Sequence, residues 1–343
     1  MPLLDDHAAL AVVGERLCTD LVDVTDDPAC LEGSGFWAAV LPYSGRPTFA
    51  RFATIRPARP WRGPPWQGPD RASWRSSLDR DGFVAGVEHI RASIVAGDVY
   101  QVNLTRRLDA PVADDSDIAA LGAALAIGNP APYSAVVRVP TAGVHVASAS
   151  PERYLRREGR LVWSSPIKGT AATPDAFLAK DQAENVMIVD LVRNDLGRVC
   201  DHGSVCVPAL LAVEHHPGLV HLVSTVAGEL RDGVGWPELI GATFPPGSIT
   251  GAPKIAAIDL IEELEPVERG VYCGAVGWVD ADRGIGELNV AIRTFWIERI
   301  DGAARLCFGT GGGITHDSDP AGEWAETELK ARTLLAVASA QAG

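Results

Sequence analysis

The spacing of apolar residues changes period repeatedly along the chain. Residues 36–55, FWAAVLPYSGRPTFARFATI, form two apolar runs around a Ser-Gly-Arg-Pro turn, which predicts a pair of strands. A proline-rich connection, RPARPWRGPPWQGPDRAS, follows. Residues 81–96 then place Phe83, Val87, Ile90 and Ile94 at helical spacing, and GDVYQVNLTRRL reads as a turn and an alternating strand. HVASASPERYLRREGRLVWSSPIKGT reads as strands joined through Arg-Glu-Gly. Helices are predicted over 180–197, over 252–264 and from Pro320 to about Ala340. Strands are predicted over 204–214, 219–230, 272–280, 286–298 and 304–310. Residues 118–137 are uncharged, but Asn129, Pro130 and Pro132 divide them into a short helix and a strand over 133–138 rather than a membrane span. Groups of adjacent strands with helices set between them predict an α+β fold with largely antiparallel sheets.

Composition narrows the class. The chain has 343 residues, is 47% hydrophobic and carries a formal net charge of −14. That is ample apolar material for a core, and the wrong sign for nucleic acid or an anionic membrane as main partner. Six cysteines without a Cys-x-x-Cys spacing predict reduced thiols in a cytoplasmic protein. The opening MPLLDDHAAL has acids where a secretory signal has basic residues. Only four of the 30 basic residues are lysine: Lys168, Lys180, Lys254 and Lys330. Arginine stays charged and cannot serve as nucleophile or base, so a retained lysine draws attention. Lys168 stands among small and apolar residues in SSPIKGTAAT, where lysines do not usually sit, although drift explains any one of the four taken singly.

Two helices carry acids on faces that lead into apolar stripes. Asp181 and Glu184 share a face that continues through Ile188 and Leu191, and Glu323, Glu326 and Lys330 follow at i, i+3 and i+7. Taken singly, each set reads as macrodipole acids and an i, i+4 ion pair. Together they offer four carboxylates to a hard cation such as Mg²⁺. FGTGGGIT (308–315), with Gly309, Gly311, Gly312 and Gly313, reads as an anion nest after a strand. FPPGSITGAPK (244–254) leads into a helix N-terminus. Tight turns explain either loop alone. Neither has the surroundings of a dinucleotide fingerprint or the ending of a phosphate loop, and with Arg293 in a strand they suit a small polycarboxylate. No Gly-x-Ser-x-Gly or Gly-x-Cys-x-Gly elbow is present. Cys200, His202, Cys206, His215 and His216 fit no zinc spacing.

In their order, GDVYQVNLT, SPERY, PIKGT, KDQAENVMIVDLVRNDLGRV, HLVSTVAG, FPPGSITGAPK, CGAVGW, AIRT, GTGGGI and the closing Glu-x-x-Glu-x-x-x-Lys closely resemble the chorismate-utilising enzymes, the family of anthranilate synthase and aminodeoxychorismate synthase component I. The resemblance runs from about Trp74 to the C-terminus. It implies a single large two-lobed α+β domain, with two antiparallel sheets sandwiched between helices and the active site in the cleft. Residues 1–73 would form a short N-terminal portion of that fold and 74–343 the chorismate-binding catalytic region. It also implies Mg²⁺, chorismate, ammonia and a separate glutamine amidotransferase subunit.

Within the family, a lysine at the position of Lys168 marks the aminodeoxychorismate synthases, where anthranilate synthases carry alanine. The resemblance implies that Lys168 attacks ring carbon C2 as the C4 hydroxyl leaves, and that ammonia then enters at C4. Gln101 stands where the water-adding members carry a basic lysine. By the same matching, Glu152 is the general acid, and His221 and Thr250 lie near the reacting end of the ring. Tyr272, Arg293 and the backbone of Gly311, Gly312 and Gly313 hold the enolpyruvyl carboxylate, with Lys330 near the ring carboxylate. Glu184 and Glu326 hold Mg²⁺, with Asp181 and Glu323 nearby or acting through water. The chain departs from the family in a short segment between Thr170 and Lys180. Two rival readings are an anthranilate synthase component I and a chorismate-binding regulator without catalysis; intact Lys168, Glu152 and four acids oppose the second.

Overall fold

A computed structural model of the chain describes residues 8–171, 173–177, 179–216 and 219–340, and the side chain of Lys180 lies outside that description. The chain opens with β1 (Leu10–Val13), β2 (Arg16–Thr25), β3 (Phe36–Leu41), β4 (Thr48–Pro57) and the short β5 (Arg75–Ser76). Helix α1 (Arg80–Ala96), β6 (Gln101–Pro111), α2 (Ile118–Gly128), β7 (Tyr133–Val139) and β8 (Val144–Ser150) follow. Then come β9 (Arg153–Glu158), β10 (Leu161–Ser165), β11 (Ile167–Ala171), α3 (Ala179–Gly197), β12 (Cys206–His216) and β13 (Leu219–Glu229). Next are α4 (Trp236–Thr243), the two-residue β14 (Gly251–Ala252), α5 (Lys254–Leu264), β15 (Ala275–Asp280) and β16 (Ile285–Val290). Strands β17 (Thr294–Ile300) and β18 (Ala303–Ile314) lead to α6 (Pro320–Ala338).

Among the described residues every strand pairing is antiparallel, and the strands form two sheets joined along one seam. In one sheet β13 is flanked by β11, β12 and β10, and pairing continues through β9, β16, β15, β3 and β4. In the other, β2 is followed by β1, β7, β8, β17, β18 and β6, with β5 and β14 beside β6. The β2–β4 ladder is the seam, so the two sheets share one hydrogen-bonded network.

Alternation along the strands assigns each face. Val146 of β8 and Trp296 of β17 enter the core shared by the two sheets, α3 and α4. Their neighbours Ala147 and Phe295 turn to the opposite face, under α2 and α6. Phe295 stacks on Phe308 with ring centres 4.7 Å apart, and both rings are buried. A third cluster seats α1 and α5 on β6 through Val87, Ile90, Leu104 and Ala257. The proline-rich connection straps the end of α6, with Trp66 Nε1 donating to Ala338 O at 2.8 Å and Trp74 Nε1 to Ser339 Oγ at 2.9 Å.

Three boundaries differ from the pattern-based expectation. The apolar stretch 286–298 is two strands, because β16 belongs to one sheet and β17 to the other, and the chain crosses between them at residues 291–293. The glycine segment after residue 308 continues as strand to Ile314, paired with β6 throughout. Helix α5 begins at Lys254, since residues 251–252 pair with β6 instead. Among the described residues, no helix is long and apolar enough to cross a membrane.

Candidate active site

The chain crosses from one sheet to the other at two adjacent corners, and each corner carries a predicted site residue. Residues 151–152 connect β8 to β9, and residues 291–293 connect β16 to β17. Ser150 Oγ donates to Val290 O at 2.6 Å, Val290 N to Glu152 O at 3.0 Å, and Ala149 N to Arg293 O at 3.0 Å. The corners therefore brace each other.

Glu152 is only 3% exposed. Burial pushes its carboxyl up to about 7, although a hydrogen bond from Ser248, the Lys168 charge and the Ile167 N–H all favour the ionised form. A carboxyl group so poised retains its proton near neutrality, as a general acid must. Arg293 adopts a left-handed backbone with φ of 52°. Burial alone pushes its guanidinium down, with no acid opposing it, and no carboxylate pairs with it among the described residues. An unpaired, half-buried guanidinium is a seat for a ligand carboxylate.

Lys168 reaches the cleft because Gly169 turns the chain at a φ of +93°, bringing β11 so close that a Cβ there would stand 3.0 Å from Asp181 Cβ. One step along α3, Glu184 Oε1 accepts from Lys168 Nζ at 2.7 Å and from Gln101 Nε2 at 2.5 Å. Gln101 is fully buried, and its own Oε1 has no hydrogen-bond partner among the described residues. The expected apolar box around Lys168 is thus corrected: its side chain is 11% exposed and sits in an ion pair. Glu184 is the polar end of the helix face that buries Ile188, so the amine meets a carboxylate where the apolar stripe stops.

The glycine segment is not a nest, and none of Gly309, Gly311, Gly312 and Gly313 has a positive φ. It offers donors as a free strand edge. Pairing with β17 ends at Phe308, so beyond it β18 has only β6 beside it among the described residues. Asn103 and Thr105, opposite Gly313 and Gly311, turn their N–H groups away from β18 to Thr250 O and Glu265 Oε1. By antiparallel alternation, Gly311 and Gly313 turn theirs to the open edge, whereas Gly312 is bonded to β6. Lys330 Nζ indeed takes Gly311 O at 3.0 Å on that edge. Absent side chains make the room: a Cβ on Gly309 would lie 2.1 Å from the Tyr272 ring, and one on Gly313 would lie 2.0 Å from Gln101 Nε2.

Carboxylates arrive at this strand from two helices. A Cβ on Gly313 would be 2.5 Å from Glu184 Oε1, and one on Gly312 would be 3.2 Å from Glu323 Oε2. Glu323 also accepts from Ser318 Oγ at 2.7 Å, and Glu326 pairs with Lys330 at 2.7 Å, the expected i, i+4 contact. Asp181 lies in the first turn of α3. Among the described residues, no three His, Cys, Asp or Glu side chains gather as a ready metal cluster. Mg²⁺ needs only one or two carboxylates and keeps its waters, and an all-oxygen donor set beside side-chain-free strand residues fits that demand.

The remaining predicted residues divide. His221 is buried on β13, opposite Thr170 and Glu214. Thr250 is fully buried and its hydroxyl donates to Pro246 O and Gly247 O within its own turn. Lys254 is architectural, with Nζ donating to Asp195 Oδ2 at 2.6 Å, Pro245 O at 3.0 Å and Thr243 O at 3.2 Å. Sequence reasoning passed over Ser248, Asn103, Arg269 and Glu265, which lie directly behind the site; a serine in a glycine-proline loop and an arginine in EPVERG give no local sign of it.

Comparison with known proteins identifies the family. The model of the chorismate binding enzyme family matches residues 62–336. Anthranilate synthase component 1 1 of Haloarcula marismortui is 40% identical over 278 residues, which cover 78% of this chain and 55% of that protein. Aminodeoxychorismate synthase component 1 of Escherichia coli is 38% identical over 276 residues, covering 77% and 59%. The matched part thus spans a little over half the length of these curated relatives. Anthranilate synthase component I from Streptococcus pneumoniae has the same fold, with a TM-score of 0.75 at 24% identity over 95% of this chain and 89% of that one. The chain belongs to the chorismate-binding enzymes.

Proposed function

We propose that the chain is an aminodeoxychorismate synthase component I, converting chorismate and ammonia to 4-amino-4-deoxychorismate. The observation that carries this reading is Lys168, an amine beside Glu184 and Gln101 whose charge is also felt at Glu152. Its Nζ attacks ring carbon C2 while the ring double bonds shift and the C4–O bond breaks. Glu152 gives its proton to the departing hydroxyl, which leaves as water. Ammonia then forms the C4–N bond, the electrons shift back, and the C2–N bond to Lys168 breaks to return the amine. Before attack, Lys168 has to part from Glu184 and give up a proton to solvent, because an ammonium is no nucleophile.

Arg293, Tyr272 and the outward N–H groups of Gly311 and Gly313 would hold the enolpyruvyl carboxylate, with Lys330 near the ring carboxylate. His221 and Thr250 would border the reacting end of the ring. Glu184 and Glu326, with Asp181 and Glu323 close by, would hold Mg²⁺, which when bound supplies positive charge against the ring carboxylate. Gln101 is a neutral amide and cannot take a proton from water, which favours ammonia as the incoming nucleophile. The chain has no nucleophile elbow for releasing ammonia from glutamine, so a separate glutamine amidotransferase subunit is its expected partner.

The test is product identity. The purified chain is incubated with chorismate, Mg²⁺ and ammonium, and the products are separated by mass. Aminodeoxychorismate is expected. Anthranilate with pyruvate would make the chain an anthranilate synthase component instead, and chorismate left unconsumed would favour a binding protein.

A further inference from the structure

Three consecutive carbonyls in the turn at residues 248–250 are each held from outside it. Asn103 Nδ2 donates to Ser248 O at 2.8 Å, Arg269 Nη1 to Ile249 O at 2.8 Å, and Asn103 N to Thr250 O at 2.7 Å. Arg269 is fixed in turn. Its Nε and Nη2 donate to the two oxygens of Glu265 at 2.8 and 2.7 Å, and Nη2 also to Asn103 O at 2.9 Å. The Tyr43 ring covers the guanidinium at 4.7 Å. Glu265 Oε1 further accepts from Thr105 N at 2.8 Å and Thr105 Oγ1 at 2.9 Å.

The Arg269 and Glu265 side chains are 2% and 6% exposed. Desolvation makes such a pair a poor route to stability, and apolar residues of similar size often serve as well. Here its remaining hydrogen bonds go to β6 and to the turn, and β6 also carries Gln101. With the turn's backbone held, Ser248 lines the same cavity as Glu152, where its hydrogen bond favours the Glu152 carboxylate.

We propose that Ser248 is a positioning residue for Glu152: its hydroxyl orients the carboxyl group and stabilises the carboxylate left after proton donation. The Asn103–Arg269–Glu265 network holds the backbone of the turn that carries that hydroxyl. The inference rests on Glu152 acting as the general acid of the proposed reaction. Ser248 and Glu152 also line one small cavity with Tyr154, Val192, Asp195 and Thr243.

The test compares Ser248→Ala and Ser248→Thr in the full chain, following chorismate consumption whatever the product. Losing a hydrogen bond to a charged group predicts a kcat lower by about 10- to 100-fold in the alanine variant. KM for chorismate should stay within about twofold, because the bond matters most once the carboxylate forms. Threonine should restore most of kcat, and Tm should be unchanged in both. Adduct formation on the enzyme without ammonia should slow by the same factor as kcat in Ser248→Ala. Wild-type kcat in the alanine variant would overturn the proposal, as would equal damage by alanine and threonine. A wild-type product other than aminodeoxychorismate would defeat the functional reading and leave the Ser248 comparison intact.

Discussion

Glu152 gives a prediction that can be measured without substrate. Burial raises its carboxyl from the ordinary 4.5 to about 7, so the folded state favours the proton more than the unfolded chain does. For a group raised on folding, the stabilising contribution is fully present below the unfolded value and is lost as pH rises through the folded one. The gap is worth about 3 kcal/mol in total, of which about 2.5 kcal/mol disappears between about pH 5 and pH 8. Glu152→Gln keeps the shape and removes the titration. Urea unfolding of both proteins across that range, followed by tryptophan fluorescence, gives the difference in stability at each pH. Any constant cost of the substitution cancels, because only its change with pH is read. The variant should gain about 2.5 kcal/mol on wild type between about pH 5 and pH 8. A difference that stays level across the range would refute the claim that Glu152 is a buried acid holding its proton near neutrality.

Three further outcomes are expected. Activity should require Mg²⁺ and vanish in EDTA, and Glu326→Gln should weaken both metal and chorismate binding in calorimetric titrations; full activity in metal-free buffer would remove the metal from the account. Glutamine alone should not support turnover by the purified chain, whereas ammonium should, and glutamine-dependent amination would contradict the need for a separate amidotransferase. Gly313→Ala places a methyl 2.0 Å from Gln101 Nε2 and 2.5 Å from Glu184 Oε1, so Gln101 must leave Glu184. Losing that charged hydrogen bond should lower stability by roughly 1.5–3 kcal/mol and depress kcat, with thermal unfolding and steady-state rates as the checks.

Much of the site was legible because its chemistry lies in short, unusual strings. SPER and AIRT each hold a charged residue at a sheet-to-sheet corner, and the backbone hydrogen bonds between the two corners brace them side by side. What was not legible depends on partners distant in sequence. The glycines after Phe308 looked like a loop because glycine is rare inside strands, yet β6 pairs with them about two hundred residues earlier in the chain. The neighbours of Lys168 in sequence are apolar, but its partner in space, Glu184, comes from the next helix across the turn at Gly169. Lys254 looked as unusual as Lys168 and proved to be tied to Asp195 and two carbonyls. Arg269 and Glu265 resemble surface charges in sequence, and only the fold shows them buried behind the site.

The most direct test of the central claim is the mass of the enzyme after exposure to chorismate and Mg²⁺ without ammonia. A nucleophilic Lys168 leaves a fraction of the chains heavier by chorismate less one water, and peptide mapping should locate the addition at Lys168. Lys168→Ala should carry none. Lys168→Arg should also carry none and be as inactive as alanine, because a guanidinium keeps its proton. Glu152→Gln should form the adduct roughly 10²–10⁴-fold more slowly, the scale for losing a general acid. Near-normal turnover in Lys168→Arg, with no adduct on the wild-type chain, would contradict the account: Lys168 would then be only a cation for the substrate, and ammonia would add to the ring directly.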